Sequence, residues 1–310
     1  IAALTFFRID AYSPNPHMPD ERPADAVESE SFSAAAARGE FESVSFLALP
    51  EADLERVDFK FSDLKEPDGA VIPASAIDLK SVKVWFQPDG LWLSFWCGNR
   101  HKPTAIPTLV LHDDSLVKVD WEKKQNFLRF DYPGNSVYKR ISGGDVDDRM
   151  NYGVEPVADA KSFVPFDLAK GRYQQYWMTY KVPKDAKPGV YRGTATVTSA
   201  GKRLKDLALD LEVYPFTLPL ARTHYDSSRP YMISMDNGVH LADLLRECHD
   251  LKAAEAKALA TYRMCAEHNL LYLAGPGFIA QDNPDDLALR MLYLMREAGM
   301  PLRPLFAGRT

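Results

Sequence analysis

Adjacent carboxylates are the residues of this sequence whose type and spacing come nearest to catalytic chemistry. They occur as Asp20-Glu21, Asp113-Asp114, Asp147-Asp148 and Asp285-Asp286. Cleavage of a glycosidic bond needs two carboxyl groups placed around that bond. The first three pairs fall in loops of a predicted β domain. The last falls in the first turn of a predicted helix, where carboxylates interact favourably with the helix dipole without any catalytic role. The sequence therefore identifies no catalytic residue.

Motifs of other enzyme classes and of metal sites are absent from the sequence. It contains no GxSxG, HExxH, GxGxxG or GxxxxGK[ST] pattern. The acidic cluster Asp145, Asp147 and Asp148 invites a calcium hypothesis, but its spacing does not match an EF-hand loop. A solvated loop is the favoured interpretation of that cluster. No metal and no cofactor is predicted.

The amino-terminal 220 residues are predicted to form an all-β domain. Runs of β-formers alternate with turn signals, and three of them between Gly171 and Pro219 predict a three-stranded meander. In the last run Leu207, Leu209, Leu211 and Val213 lie on one face, which is the period-2 pattern of a half-buried strand. We predict an antiparallel β-sandwich over residues 1–220.

Helical spacing takes over after Pro215 and predicts parallel βα units over residues 221–310. Strands are predicted at 230–235, 270–274 and 302–306, with a long helix over 241–265 and a second over 284–298 capped by Gly299. A complete (β/α)8 barrel needs about 250 residues. The segment is therefore expected to be an incomplete α/β domain.

Polar and aromatic residues at two places are candidate binding groups. Functional groups of parallel barrels cluster at the carboxyl ends of the strands. By that rule the candidates are Asp236, Asn237, His240, Tyr272 with the loop after it, and Arg309. A short polar turn is the alternative for each.

The second place is the aromatic loop 87–107, which contains Trp92 and Trp96. These rings either pack across a domain interface or form a platform on which a sugar stacks. Both interpretations are open from the sequence.

Composition and charge limit the partners. The chain has 310 residues, of which 46% are hydrophobic and 26% charged, and its formal net charge is −6. This balance argues against nucleic acid and anionic membranes as partners. No apolar run approaches the roughly 20 residues of a membrane span. The chain opens at Ile1 without Met, which is compatible with a removed signal peptide and with a missing upstream segment.

Four sequence blocks in the β part resemble the β-sandwich half of proteins similar to glycoside hydrolase family 123. The resemblance covers about residues 5–220, and the blocks are GEFESVSF at 39–46, VKVWFQ at 82–87, LVLHDDSLVKVD at 109–120, and QYWMTYKVP at 175–183 with KPGVYRGT at 187–194. It implies a β-sandwich followed by a (β/α)8 barrel. It also implies substrate-assisted, retaining hydrolysis of glycans with β-linked N-acetylgalactosamine.

In that family an adjacent Asp-Glu pair on the barrel does the chemistry. The Asp-Glu pair in this chain is Asp20-Glu21, which lies in the wrong domain. No catalytic residue is therefore carried over, and the expected position lies beyond Thr310. Two hypotheses follow. The chain is part of a secreted or periplasmic glycoside hydrolase, or it is part of a non-catalytic surface or assembly protein that uses the scaffold for glycan or protein binding.

Overall fold

The computed structural model of the chain describes residues 4–88, 103–141, 157–218, 234–236, 241–267, 272–274 and 285–300. Contacts between residues divide the chain into two compact units. The first comprises Ile1–Gly143 and Ala158–Leu218, and the second comprises Gly144–Val157 and Pro219–Thr310. Each unit is described by itself below.

Strands dominate the first unit. In chain order they are β1 (Leu4–Ile9), β2 (Val27–Glu28), β3 (Ser31–Arg38), β4 (Phe41–Pro50), β5 (Leu54–Phe61), β6 (Leu64–Lys65), β7 (Val71–Ile72), β8 (Ile77–Pro88), β9 (Pro103–Leu111), β10 (Val117–Asp120), β11 (Gln125–Tyr132), β12 (Asn135–Arg140), β13 (Phe166–Leu168), β14 (Gln174–Lys181), β15 (Gly189–Ser199) and β16 (Lys202–Thr217).

The described strands of the first unit form three sheets. A six-stranded sheet has the order β2-β1-β4-β14-β8-β9, and a seven-stranded sheet has the order β13-β5-β15-β16-β3 with β6 and β7 attached. A small third sheet has the order β10-β11-β12. All strand pairs are antiparallel except β16 with β3. The β-rich, mostly antiparallel amino-terminal part predicted from the sequence is confirmed.

One hydrophobic core joins the two larger sheets. Strands β8 and β14 contribute Leu79 and Tyr176 from one sheet, while β16 contributes Leu209 from the other. The predicted inward face of β16 is buried along its length, at Leu207, Leu209, Leu211 and Val213. Burial of each such aliphatic side chain stabilises the fold by roughly 1.5–3 kcal/mol. The sheets are therefore held face to face mainly by hydrophobic packing.

The predicted three-stranded meander is wrong. Strands β15 and β16 form an antiparallel hairpin, but β14 pairs with β4 and β8 in the other sheet. Residues 182–188 carry the chain from one sheet to the other, and the Val182 amide donates to the Glu40 carbonyl on the way. The alternation of β14 selects which side chains face the core, but it leaves the choice of partner strand to nonlocal packing. Strands β14 and β16 lie in different sheets, and their inward faces pack against the same hydrophobic core.

The small sheet β10-β11-β12 lies beside the end of β8. Its central strand is tied to β8 by Asn126. The Asn126 Nδ2 donates to the Phe86 carbonyl at 2.7 Å, and the Phe86 amide donates to Asn126 Oδ1 at 3.0 Å. These paired bonds mimic a strand ladder, and they fix the small sheet against the end of β8.

The second unit contains two short parallel strands and three helices among its described residues. They are β17 (Ser234–Asp236), α1 (Leu241–Cys248), α2 (Leu251–Glu267), β18 (Tyr272–Ala274) and α3 (Asp285–Glu297). The parallel pairing of β17 with β18 across α1 and α2 is one βα unit. The described residues do not show the start of a barrel, and the predicted strand 302–306 lies outside them.

The predicted single helix over 241–265 is two helices. Helix α1 ends at Cys248, and His249 adopts a left-handed conformation with φ of 51°. Asp250 then caps α2, because its Oδ1 accepts a hydrogen bond from the Ala253 amide at 2.9 Å. The apolar spacing continues through this break, so periodicity alone does not reveal it.

Helix α3 ends as the sequence predicted, at a glycine cap. Gly299 has φ of 81°, its amide donates to the Arg296 carbonyl, and the Met300 amide donates to the Met295 carbonyl. This is a Schellman motif. The free thiols of Cys248 and Cys265 are buried in the helical core, and burial raises the pKa of both. No helix in the described part of the chain is long and apolar enough to cross a membrane.

The buried hydroxyl of Tyr176 gives a stability prediction. Its oxygen has no hydrogen-bond partner among the described residues, whereas the hydroxyl of buried Tyr191 donates to the Lys187 carbonyl at 2.8 Å. An unpaired buried hydroxyl costs roughly 1–3 kcal/mol, and a satisfied one contributes about 1 kcal/mol. Tyr176→Phe should leave the free energy of unfolding unchanged or raise it, while Tyr191→Phe should lower it by about 1 kcal/mol. Denaturant unfolding of both variants checks this, and equal destabilisation would contradict it.

Candidate functional site

The candidate residues at the predicted strand ends lie only partly within the described residues. Asp236 is the last residue of β17, and Tyr272 is the first residue of β18. In the parallel register Asp236 lies opposite Ala274, so both strands end at the same edge. Asn237, His240 and Arg309 lie outside the described residues.

Two other sequence hypotheses also fall outside the described part of the chain. The aromatic platform residues Trp92 and Trp96 lie there, and so does the acidic cluster at 145–148. The platform and calcium hypotheses therefore remain predictions.

The carboxylates of the Asp113-Asp114 pair face different cations. Asp113 Oδ2 lies 2.9 Å from Arg129 Nη1, and Asp114 Oδ2 lies 2.5 Å from Lys83 Nζ. Burial would raise the pKa of Asp113, but hydrogen bonds from Ser115 and Arg129 outweigh it and lower that pKa. A general acid needs a raised pKa. This pair is therefore arranged to hold structure rather than to donate a proton.

His112 lies between two carboxylates. Its Nε2 is 2.7 Å from Asp78 Oδ1, its Nδ1 is 3.4 Å from Asp159 Oδ2, and its backbone amide donates to Asp159 at 2.7 Å. Burial would raise the pKa of Asp78, but hydrogen bonds from Lys80 and His112 outweigh it and lower that pKa. Within the described ranges no group of His, Cys, Asp or Glu is arranged to hold a metal ion. The contacts fasten the segment around Asp159 to the end of β9.

A cleft of about 510 Å³ opens in the β-rich unit. It lies where β8, β10 and the β13–β14 connection meet. Its walls consist of His17, Pro19, Val82, Lys83, Val84, Asp114, Ser115, Val117, Lys118, Val119, Trp121, Phe166, Asp167, Leu168, Ala169, Arg172, Tyr173, Gln174 and Gln175. The volume falls in the range of small-molecule sites.

Trp121 supplies a flat apolar surface in this cleft. Its side chain is 44% exposed, although it follows directly after β10 in the turn to β11. The ring of Phe86 meets the indole edge-on, with centroids 5.4 Å apart and planes at 70°. The guanidinium carbon of Arg172 lies 5.8 Å from the indole centroid. An exposed indole held in this way can stack on the apolar face of a sugar ring.

Two neighbouring glutamines present polar groups in the same cleft. Gln174 Nε2 donates to the carbonyls of Val82 and Gln175, at 3.2 and 2.8 Å. Gln175 Nε2 donates to Ser45 Oγ at 2.9 Å, while Gln175 Oε1 has no partner among the described residues. Both amide nitrogens thus bind the protein itself, and the shielded Gln175 Oε1 is out of reach of a ligand.

The sequence pattern does not predict Trp121 or the glutamines as candidate residues. Aromatic residues are denser around Trp92 and Trp96 than around Trp121, and that density indicates the loop 87–107 instead. The available signal was a lone Trp at the start of the polar turn Trp121–Lys124, between two short strands. A large apolar side chain in such a turn is unusual unless it packs or binds.

Comparisons with known proteins find distant similarity only. No protein-family model and no curated protein matches the chain. A family 123 glycoside hydrolase from Clostridium perfringens is 14% identical with a TM-score of 0.46, and the match covers 77% of this chain and 32% of that one. A PapD-like domain of human CEP192 is 8% identical with a TM-score of 0.22, covering 60% of this chain and 82% of that one.

The amino-terminal domain of PorA is 7% identical with a TM-score of 0.23, and the match covers 69% of this chain and 99% of that one. The present chain spans about a third of the length of the family 123 hydrolase. At these identities and TM-scores the similarities establish no function.

The carboxyl groups of Asp78 and Asp113 predict sensitivity to acid. Each has a folded-state pKa below the ordinary value of about 3.9. Their stabilisation is therefore complete above about pH 4 and is lost as pH falls through the lower folded-state pKa. We expect the midpoint temperature of thermal unfolding to fall when the pH is lowered below about 4. Asp113→Asn should lower the midpoint at pH 7 and flatten this drop.

The control for this experiment is Asp185→Asn, because Asp185 is exposed. Its midpoint should follow that of the unmodified chain from pH 7 to pH 2.5. An Asp113→Asn profile that also matches the unmodified chain would contradict the assignment.

Proposed function

We propose that this chain is part of a carbohydrate-active protein and that its β-rich unit binds a glycan in the cleft beside Trp121. The observation that carries the proposal is the exposed indole of Trp121 in a cleft whose volume suits a small ligand. A pyranose ring has an apolar face of C–H groups and an equator of hydroxyl groups. The indole offers a surface for the first, and the polar side chains of the cleft wall, such as Ser115, offer partners for the second.

In its full-length form the protein acts, on this proposal, as a glycoside hydrolase on glycans with β-linked N-acetylhexosamine, in particular N-acetylgalactosamine. The support is the resemblance of the four sequence blocks to family 123, which implies substrate-assisted, retaining hydrolysis. Residues 1–220 would be the β-sandwich and 221–310 the first units of a (β/α)8 barrel. The parallel pair β17–β18 across two helices fits that arrangement.

The proposed barrel edge would bring Asp236, Asn237, His240 and Tyr272 toward the substrate, because functional groups gather where parallel strands end. Trp92 and Trp96 would extend the aromatic surface. Because a glycan ligand of this kind is typical of secreted and periplasmic proteins, the proposal includes a secreted or periplasmic location.

A non-catalytic surface or assembly protein is the second candidate function. The observation that favours it is the environment of the Asp20-Glu21 pair. Asp20 Oδ1 lies 3.1 Å from Arg172 Nη1 in the β-rich unit, and the Asp20 side chain is mostly exposed. An ion-paired surface carboxylate is not placed for hydrolysis, so this pair gives the β-rich unit a role in holding the cleft wall rather than a catalytic role of its own. In that case the scaffold binds a glycan or a protein without cleaving it.

Substitution of Trp121 tests the glycan-binding proposal. Trp121→Ala should weaken binding of a chondroitin tetrasaccharide with reduced carboxyl groups by about tenfold, because loss of stacking removes about 1–1.5 kcal/mol. Trp121→Phe should retain part of the affinity, since a smaller aromatic face remains. Isothermal titration calorimetry measures both.

The control is Tyr12→Ala, because Tyr12 is exposed and does not line the cleft. It should bind as the unmodified chain does. Undiminished binding by Trp121→Ala would show that the indole is not the platform.

An activity assay separates the two candidate functions. The full-length protein should release 4-nitrophenol from 4-nitrophenyl N-acetyl-β-galactosaminide if it is a hydrolase. Retention of the anomeric configuration, followed by proton nuclear magnetic resonance, would support the substrate-assisted route. Absence of turnover on every 2-acetamido sugar offered, together with binding, would favour the non-catalytic protein.

A further inference from the structure

We infer that the cleft selects uncharged glycans, and that Asp20 and Asp114 are the residues that set this selectivity. The inference rests on the proposed function, since it concerns which glycan the cleft accepts. Both carboxylates neutralise cations in the cleft wall. Without them, those cations would attract ligands that carry carboxylate or sulfate groups.

Lys83 is neutralised from within the protein. Its Nζ lies 2.5 Å from Asp114 Oδ2 and donates to the Asp114 carbonyl at 2.9 Å. The two side chains are only 16% and 21% exposed, so water screens this pair weakly. A ligand carboxylate would have to compete with Asp114 for the ammonium group. Lys83 therefore contributes little net attraction for an anion.

Arg172 is neutralised at the rim. Its Nη1 lies 3.1 Å from Asp20 Oδ1, and the side chains are 44% and 65% exposed. The guanidinium group also stands beside the Trp121 indole, where a bound sugar would stack. An exposed pair is weak in energy. The Asp20 carboxylate nevertheless lowers the attraction of Arg172, which lies over the Trp121 ring, for an acidic sugar.

Lys118 and Asp167 carry the remaining charges of the described cleft wall. Lys118 Nζ lies 3.9 Å from the centroid of the Tyr138 ring, and the carboxylate of Asp167 accepts a hydrogen bond from the Arg56 amide. Among the described residues the wall thus contains the cations Lys83, Lys118 and Arg172 and the carboxylates Asp114 and Asp167, and Asp20 pairs with Arg172 from outside the wall. His17 also lines the cleft, and its Nε2 is directed at Asp25 at 3.1 Å.

The test compares two glycans that differ only in charge. One is an unsulfated chondroitin tetrasaccharide, which carries glucuronate carboxylates. The other is the same tetrasaccharide with those carboxyl groups reduced to alcohols. Calorimetry on the whole chain at low ionic strength should show tighter binding of the reduced form. The measured quantity is the ratio of the two dissociation constants.

Asp20→Asn should raise the affinity for the acidic tetrasaccharide relative to the reduced one by about two- to fivefold, because it frees the charge of Arg172 at the rim. Asp20 is exposed, so the variant is expected to fold. Asp114→Asn should shift the ratio in the same direction by freeing Lys83. Asp185→Asn changes the net charge equally, but among the described residues Asp185 pairs with no cation of the cleft wall, so its ratio should match that of the unmodified chain.

The possible results distinguish a failure of the charge selectivity from a failure of the proposed glycan binding. Tighter binding of the acidic tetrasaccharide by the unmodified chain would overturn the inference and leave glycan binding standing. An Asp20→Asn ratio equal to the Asp185→Asn ratio would overturn the role of Asp20. Binding of neither tetrasaccharide, nor of any neutral or acidic oligosaccharide in a wider panel, would overturn the proposed function itself.

Discussion

Packing of the two large sheets around Tyr176 is the constraint on which the rest of the β-rich unit depends. The Tyr176 ring stacks on Phe46 with centroids 5.2 Å apart and meets Phe59 edge-on at 5.0 Å. Phe46 belongs to one sheet and Phe59 to the other, so this cluster spans both layers. Because Gln174 and Gln175 directly precede Tyr176 in β14, the same packing fixes two residues that line the cleft.

Electrostatic neutralisation is the second organising feature. Asp113 holds Arg129 of the small sheet, Asp114 holds Lys83 of β8, and the Asn126 amide joins the same two elements. These contacts are partly buried, where one uncompensated charge would be costly. They keep the small sheet in place and therefore hold Trp121 at the cleft. The ion pair with Asp114 also neutralises Lys83 in the cleft wall. On our proposal this neutralisation favours uncharged glycans over acidic ones.

The paired carboxylates of the described β-rich unit hold cations. Asp113 and Asp114 hold Arg129 and Lys83, and Asp20 is paired with Arg172 at the surface. On the proposed function, recognition would therefore lie in the cleft and would be separate from catalysis. Catalysis, if the full-length protein performs it, belongs to the barrel that the sequence resemblance implies.

The sequence by itself determined which residues of β16 face the core, the end of α3 at Gly299 and the β-rich character of the amino-terminal part. These features are local, since a period of two or a glycine cap depends on neighbours in the chain. The tertiary structure alone decided that β14 leaves the expected meander. It alone decided that Trp121 meets Gln174 and Gln175 in a cleft. These outcomes depend on contacts between residues distant in sequence, and a side-chain pattern specifies a face without specifying its partner.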